Sequence, residues 1–431
     1  MRMKDEKLKE GTIIKSITGV SIKILNVLGS GGQGTVYKVE YNGTPRALKW
    51  YSVLGKEPQK FYENVQNNIA KGSPDSSFLW MQDLTEWKDG TFGYIMDLKP
   101  VGYYELSKYL IGQVKFVSWK VVVDAALNIV MGFRLLHNRG QSYQDLNDGN
   151  FFINPKSGKV LIADNDNVAP NGENLGILGK ARYMAPEIVR GDNLPNTASD
   201  RYSLSVILFL LFCYGHPLEG EKGTPYVMSP EMSLKIYGTE PTFIYNPENT
   251  SNRPIPGVHN TTIILWKCLP DYMKELFVSA FSQESMMKMR RVTEYDWLNA
   301  LVRFRSDIVK CSCGNEIFTN NGNVTNCDGC GKPTTFKNKI VFGEYAIPAI
   351  AGTRIYRIQL GTVNFEDALN PVASINANPN EATDIRIKNL SDTMWTCATP
   401  SGKTKKLEQD SRAPIKAGIK IKAYGTEFEI Q

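Results

Sequence analysis

Two groups of residues in this 431-residue chain have the types and spacing to do chemistry. The first begins with Gly29-Ser30-Gly31-Gly32-Gln33-Gly34-Thr35-Val36, continues through Ala47-Leu48-Lys49, and ends with Asp145, Asn150 and Asp164. Glycines without a Cβ let a hairpin lie close over phosphates, with backbone N–H groups aimed at the oxygens, and Val36 would cover a base from above. Asn150 and Asp164 offer hard oxygen ligands, which suit Mg²⁺. The second group is Cys311-Ser-Cys313-Gly and Cys327-Asp-Gly-Cys330-Gly. Four thiolates so placed make a closed tetrahedral Zn²⁺ site that can fold a segment too small for its own core. A lone glycine motif would be weak evidence. Its companions, following in fixed order, make it specific.

Completed by Tyr143-Gln144 before Asp145 and by Ala185-Pro186-Glu187, the first group resembles the eukaryotic-type protein kinase family over residues 20–305. The resemblance implies an ATP- and Mg²⁺-dependent serine/threonine kinase acting on protein substrates. By it, Gly29, Gly31 and Gly34 cover the phosphates, Lys49 holds the α- and β-phosphates, and a glutamate on the next helix holds Lys49. Glu63 is the expected partner, with Glu57 as rival. Met96 resembles the gatekeeper and Asp97-Leu98-Lys99 the hinge, while Leu28, Ala47 and Phe152 would line the adenine slot. Asp145 would accept or orient the substrate hydroxyl proton, and Asn150 and Asp164 would hold the metal. Glu187 would pair with Arg291, and Asp200 would anchor the catalytic-loop backbone.

The departures from that family carry information of their own. Tyr143-Gln144 replaces a His-Arg pair, so a phosphate on the activation segment would find no receiver, and no Ser, Thr or Tyr lies between Asp164 and Arg182. This points to a kinase that works without activation-loop phosphorylation. Asn165-Asp166 replaces Phe-Gly, which removes an apolar plug and favours a fixed conformation; Asp166 could alternatively add a carboxylate near the metals. Asn147 stands where a lysine is usual. Losing such a charge would cost about 3–4 kcal/mol, by analogy with one oxyanion donor. Lys180 is a candidate to supply it from the other side; the alternative is a solvated lysine. A second overall reading is therefore an ATP-binding pseudokinase scaffold, with Asn147 and Asn165 as its evidence. A third, a small-molecule kinase, is disfavoured by the peptide-platform stretch 179–187.

The resemblance, with the cysteine knuckles and the β runs of the tail, implies an α+β chain: a bilobal kinase fold, then a zinc ribbon, then a small β-sandwich. The expected divisions are a lead-in at 1–10, the kinase-like domain at 11–306, the ribbon at 307–337 and the β-sandwich at 338–431. Strand-like runs at 13–20, 22–28 and 35–41 precede helical patterns at 119–136, 203–212, 270–281 and 293–304; around 61–69 the pattern is weak. The tail shows β runs at 354–360, 384–387, 415–423 and 427–430, broken by Asn-Pro, Ser-Gly and Tyr-Gly turns. Its segments Ile387 to Trp395 and Gly418 to Gly425 resemble the second half of a forkhead-associated domain. It lacks the Gly-Arg and Ser-x-x-His positions with which that family reads phosphothreonine, so plain protein docking is expected. Kinase, knuckles and tail together resemble bacterial kinases of tellurite-resistance-type systems. That implies a von Willebrand A protein and a metal-dependent phosphatase as partners.

Composition agrees with this reading. Hydrophobic residues make up 42% and charged residues 22%, as in ordinary globular proteins. A net charge of +6 is too mild for a dedicated nucleic-acid binder. The first ten residues have no apolar core and are not expected to be a signal peptide. The apolar run from Leu204 to Tyr214 is too short to span a bilayer. Seven cysteines, four of them clustered, suit a reducing cytoplasm better than a disulfide framework.

Overall fold

The computed structural model describes residues 7–431 apart from 53, 55–56, 89, 177–178, 224–227, 320, 335, 362–363 and 379–380. Most of the expected lead-in, residues 1–6, thus lies outside the described residues. The chain forms two compact units, one of residues 1–115, 128–267 and 276–293, the other of 116–127, 268–275 and 294–431.

The first unit opens with β1 (Ile13–Lys15), β2 (Ser21–Ser30), β3 (Gly34–Tyr41), β4 (Thr44–Tyr51), β5 (Met81–Leu84) and β6 (Gly93–Met96), forming one antiparallel sheet in the order β1-β2-β3-β4-β6-β5. Alternating apolar residues bury one face through Ile22, Ile24, Tyr37, Val39, Leu48 and Ile95. The tight turn between β2 and β3 is the glycine-rich hairpin. Gly34 is indispensable there, because a Cβ would sit 2.1 Å from the Trp50 carbonyl oxygen. Helix α1 (Pro58–Lys71) crosses between β4 and β5, with proline in its first turn and Gly72, at φ 72°, ending it. Its sequence pattern is weak because amides occupy half of its inner face: Asn64 and Asn68 are buried beside Phe61 and Val65.

The rest of this unit is mainly helical. After β7 (Tyr104–Glu105), α2 (Leu106–Leu110) and α3 (Trp119–Asn138, of which this unit holds 128–138) come β8 (Gln141–Ser142), β9 (Phe151–Ile153), β10 (Val160–Ile162) and β11 (Ala169–Pro170). β9 and β10 pair antiparallel and carry the loops holding Asn150 and Asp164. α4 (Pro186–Val189) is short. α5 (Thr197–Cys213) is buried nearly all round and starts from a capping box at Asn196. It is the expected core helix. Among the described residues, no helix is long and apolar enough to cross a membrane.

In the second unit, helix Glu294–Asp307 buries Trp297, Leu298, Leu301, Val302 and Phe304. It runs into the hairpin Ile308–Lys310 and Glu316–Phe318 that carries the first cysteine pair. Asp307 is fully buried at this junction, accepting hydrogen bonds from the Tyr272 hydroxyl at 2.7 Å and the Thr319 hydroxyl at 2.9 Å. The C-terminal region is β-rich, with a six-stranded and a four-stranded antiparallel sheet around Trp395, Ile387, Ile421 and Phe428. It holds more strands than expected. Pro371–Asn378, a full strand, escaped notice because its outward residues are Ser and Asn. The run 354–360 is a strand only to Tyr356, continuing as a 3₁₀ turn over Arg357–Leu360, and within 415–423 only Lys420–Ala423 is a strand. The α+β class and the order of a two-lobed domain, cysteine cluster and β-rich region are as the sequence implies.

Candidate active site

Lys49 lies on β4 in register with Val36 on β3 and Tyr94 on β6, beneath the glycine hairpin. Lys49 as a whole is 5% exposed, so its ammonium group must be paired. The partner is Asp166: Nζ lies 3.1 and 2.9 Å from its two carboxylate oxygens and 3.1 Å from Oδ1 of Asp164. Asp166 is fully buried and also accepts from the Tyr51 hydroxyl at 2.5 Å and the Tyr94 hydroxyl at 3.4 Å. Burial alone would lower the lysine's pKa; the Asp166 and Asp164 charges outweigh it and hold it above the ordinary value. The Gln33 side chain, from the glycine turn, accepts from Nζ at 3.4 Å.

The expected pairing with Glu63 is corrected by this geometry. Glu63 is exposed and accepts from Gln59 one turn earlier at 3.0 Å, because α1 turns its amide face inward instead. Asn64 and Asn68 donate to the same carbonyl, Val168, at 2.8 and 2.7 Å. The rival Glu57 sits exposed at the helix start, 3.4 Å from Lys60. Sequence reading missed Asp166 as the partner. The available signal was Asp166 itself, an additional carboxylate two residues after Asp164.

Around the cleft, Leu28 is exposed, Val36, Leu98 and Phe152 are half-buried, and Ala47 and Met96 are buried as register partners on adjoining strands. Asp97 follows, 3.4 Å from Arg46. Gly29 and Gly31 are exposed, with nothing within 4 Å of where a Cβ would be.

The catalytic loop is held from below. Asp200 accepts the backbone N–H groups of Tyr143 and Gln144 at 2.6 and 3.0 Å, and His137 Nε2 lies 3.1 Å from it. Asn150 donates to the Asp145 carbonyl at 2.8 Å and to the Tyr143 hydroxyl at 3.2 Å, which commits its nitrogen and leaves its oxygen for a cation. Asp164, at φ 54°, keeps its carboxylate partly exposed in the cleft. Oxygen-only donors in this arrangement fit Mg²⁺. Tyr143 also donates to the Ala163 carbonyl, joining the catalytic loop to the metal loop.

Asp145 is half-buried; burial, followed by the nearby Asp164 charge, pushes its carboxyl up to about 6. Gly179, at φ 84°, brings the later segment against it, where a Cβ would lie 3.2 Å from Oδ1. The next residue, Lys180, reaches the Asn147 amide oxygen at 3.3 Å and lowers the Asp145 pKa by its charge. Gln144 donates to the Glu173 carbonyl at 2.5 Å and accepts from Asn174 at 3.0 Å. Asn165, fully buried, donates to the Leu79 and Ile162 carbonyls at 2.9 and 3.0 Å. Glu187 and Arg291 form a buried pair at 2.6 Å.

In the second unit the four sulfurs of Cys311, Cys313, Cys327 and Cys330 lie within 4.8 Å of one another, with 3.6 Å separating both Cys311 from Cys330 and Cys313 from Cys327. A tetrahedral Zn²⁺ with 2.3 Å bonds requires about 3.8 Å between sulfurs, so the set fits.

Residues 22–275 match the family described as Protein kinase domain. Among curated relatives, the protein kinase YegI of Escherichia coli K12 is 23% identical over 330 residues, covering 70% of this chain and 48% of that protein. The probable serine/threonine-protein kinase kinX of Dictyostelium discoideum is 24% identical over 227 residues, covering 51% and 20%. The human ribosomal protein S6 kinase alpha-4 is 26% identical over 238 residues, covering 52% and 30%. The chain spans less than half the length of each of these proteins.

Proposed function

The chain belongs to the protein kinase family, its matched domain occupying residues 22–275, and from that premise we propose that it transfers the γ-phosphoryl group of ATP to serine or threonine hydroxyls of protein substrates. The supporting observation is the convergence of four groups in one cleft. Lys49 lies 3.1 Å from Asp164, and Asn150 donates to the Asp145 carbonyl at 2.8 Å. Asp145 accepts or orients the hydroxyl proton of the substrate. Lys49 binds phosphate oxygens beneath Gly29, Gly31 and Gly34. Asn150 and Asp164 would hold Mg²⁺, which neutralises charge on the phosphates. Leu28, Val36, Ala47, Met96, Leu98 and Phe152 enclose the adenine. Lys180, reaching Asn147 at 3.3 Å, supplies the positive charge that a catalytic-loop lysine would otherwise bring.

Activity without activation-segment phosphorylation belongs to the same proposal. Where a phosphate-binding arginine is usual, Gln144 bonds Glu173 and Asn174 directly, so the segment is already held. Asn165 holds the metal loop by backbone hydrogen bonds rather than by an apolar plug.

The division into 11–306, 307–337 and 338–431 is part of this reading, with a structural zinc ribbon and a forkhead-associated-like β domain for protein docking. So are a bacterial origin, a reducing cytoplasmic setting, and partnership with a von Willebrand A protein and a metal-dependent phosphatase.

The deciding experiment follows labelled γ-phosphate from ATP with Mg²⁺ onto the chain itself and onto a generic protein acceptor. We expect label with the wild type and none with Asp145→Ala. ATP binding without transfer in the wild type would instead favour a nucleotide-holding scaffold.

A further inference from the structure

We infer that Asp166 is the positioning residue for the nucleotide-binding lysine, taking the place of a carboxylate on helix α1; this rests on the proposed role of Lys49. The geometry is specific. Both Asp166 oxygens lie within 3.1 Å of Lys49 Nζ, and the Tyr51 and Tyr94 hydroxyls donate to the same carboxylate. Asp166 is 0% exposed, and Lys49 is the cation in contact with it. Two tyrosine hydroxyls satisfy further lone pairs and fix its rotamer.

Helix α1 is relieved of the task. Its one acidic residue, Glu63, is exposed and bonded to Gln59. The helix is docked by a different device: Asn64 and Asn68 both donate to Val168, and the Asn68 oxygen accepts from Gln141 at 3.0 Å. Asn64 and Asn68 therefore orient the helix on the segment just past the metal loop, while Asp166 orients the lysine from inside that loop. Lysine anchor and metal ligand are two residues apart on one short turn, so the two parts of the phosphate site are set together.

A carboxylate this close to Asp164 has an alternative role as a metal ligand, and the test separates the two. In the full chain, Asp166→Asn is expected to lower kcat/KM for ATP by about tenfold or more, with the Mg²⁺ concentration for half-maximal rate shifting by less than about twofold. In a Lys49→Ala background the same substitution should weaken equilibrium ATP binding no further, because Asp166 acts through that lysine. Glu63→Ala should leave the rate within about twofold of wild type. Activity of Asp166→Asn restored by raising Mg²⁺, or additive losses in the double variant, would overturn the inference. So would a tenfold loss in Glu63→Ala. That last variant changes only an exposed side chain, so it tests the rival carboxylate on α1 even if Asp166→Asn does not fold. Lys49→Ala abolishing transfer while Asp166→Asn leaves it intact would remove the Asp166 role alone. Transfer unaffected by Lys49→Ala would remove the nucleotide reading beneath it.

Discussion

Where related catalytic domains carry histidine, arginine, lysine, phenylalanine and glycine, this chain carries Tyr143, Gln144, Asn147, Asn165 and Asp166. None of the five is idle. Tyr143, Gln144 and Asn165 donate to backbone carbonyls, Asn147 accepts from Gly149 N–H at 3.1 Å and from Lys180, and Asp166 takes the lysine. Side-chain charge at the catalytic loop has been exchanged for amide and hydroxyl bonding, with one ammonium brought in from the neighbouring segment. Lys180→Ala should therefore lower kcat by about tenfold or more with little change in KM for ATP, and Lys180→Arg should recover part of it. Steady-state transfer assays with both variants check this. Unchanged turnover in Lys180→Ala would assign that lysine to solvent.

At the scale of elements, the segment after the metal loop is pinned at several points. Arg182 pairs with Glu219 at 2.6 Å, and the buried His216 donates through Nε2 to the Arg182 carbonyl at 2.7 Å while Nδ1 accepts from Leu218 N–H at 3.2 Å. This pattern needs a neutral imidazole, and burial, reinforced by Arg182 against the opposing pull of Glu219, lowers its pKa to about 4. The unfolded chain therefore binds a proton near pH 6.5 that the folded chain refuses. This contribution is complete above pH 6.5 and is lost as pH falls towards 4, by on the order of 3 kcal/mol. The carboxyls of Asp145 and Asp307, pushed up to about 6 by burial, pull the other way in both proteins, so the quantity to follow is a difference: the urea unfolding midpoint of the wild type relative to that of His216→Gln should fall across that window.

The elements differ in how much of this was legible. The glycine hairpin, Lys49, Asp145, Asn150 and Asp164 could be read because each is a rare residue type at a fixed interval. Helix α1 was faint, and the lysine's partner was misassigned to it, because Asn64 and Asn68 interrupt the apolar stripe on which helix reading depends. Asp166 was visible as an oddity, but only the folded chain brings it to β4, across more than a hundred positions.

For the whole molecule, the cysteine cluster links folding to a metal ion. The fit of four sulfurs within 4.8 Å leads us to expect one zinc per chain by metal analysis, and its removal by a chelator should unprotect the amides of residues 308–334 to hydrogen exchange. Unchanged exchange after complete metal removal would deny the ion a folding role. The second consequence follows from the stretch between Asp164 and Arg182, where Gln144 grips the backbone and no hydroxyl side chain occurs. If the proposed independence from activation-segment phosphorylation holds, such a catalyst has no self-encounter to wait for. Its progress curves should start at full slope, without lag, and its rate should scale linearly with dilution; output would then be governed by how many copies the cell keeps and whom they meet.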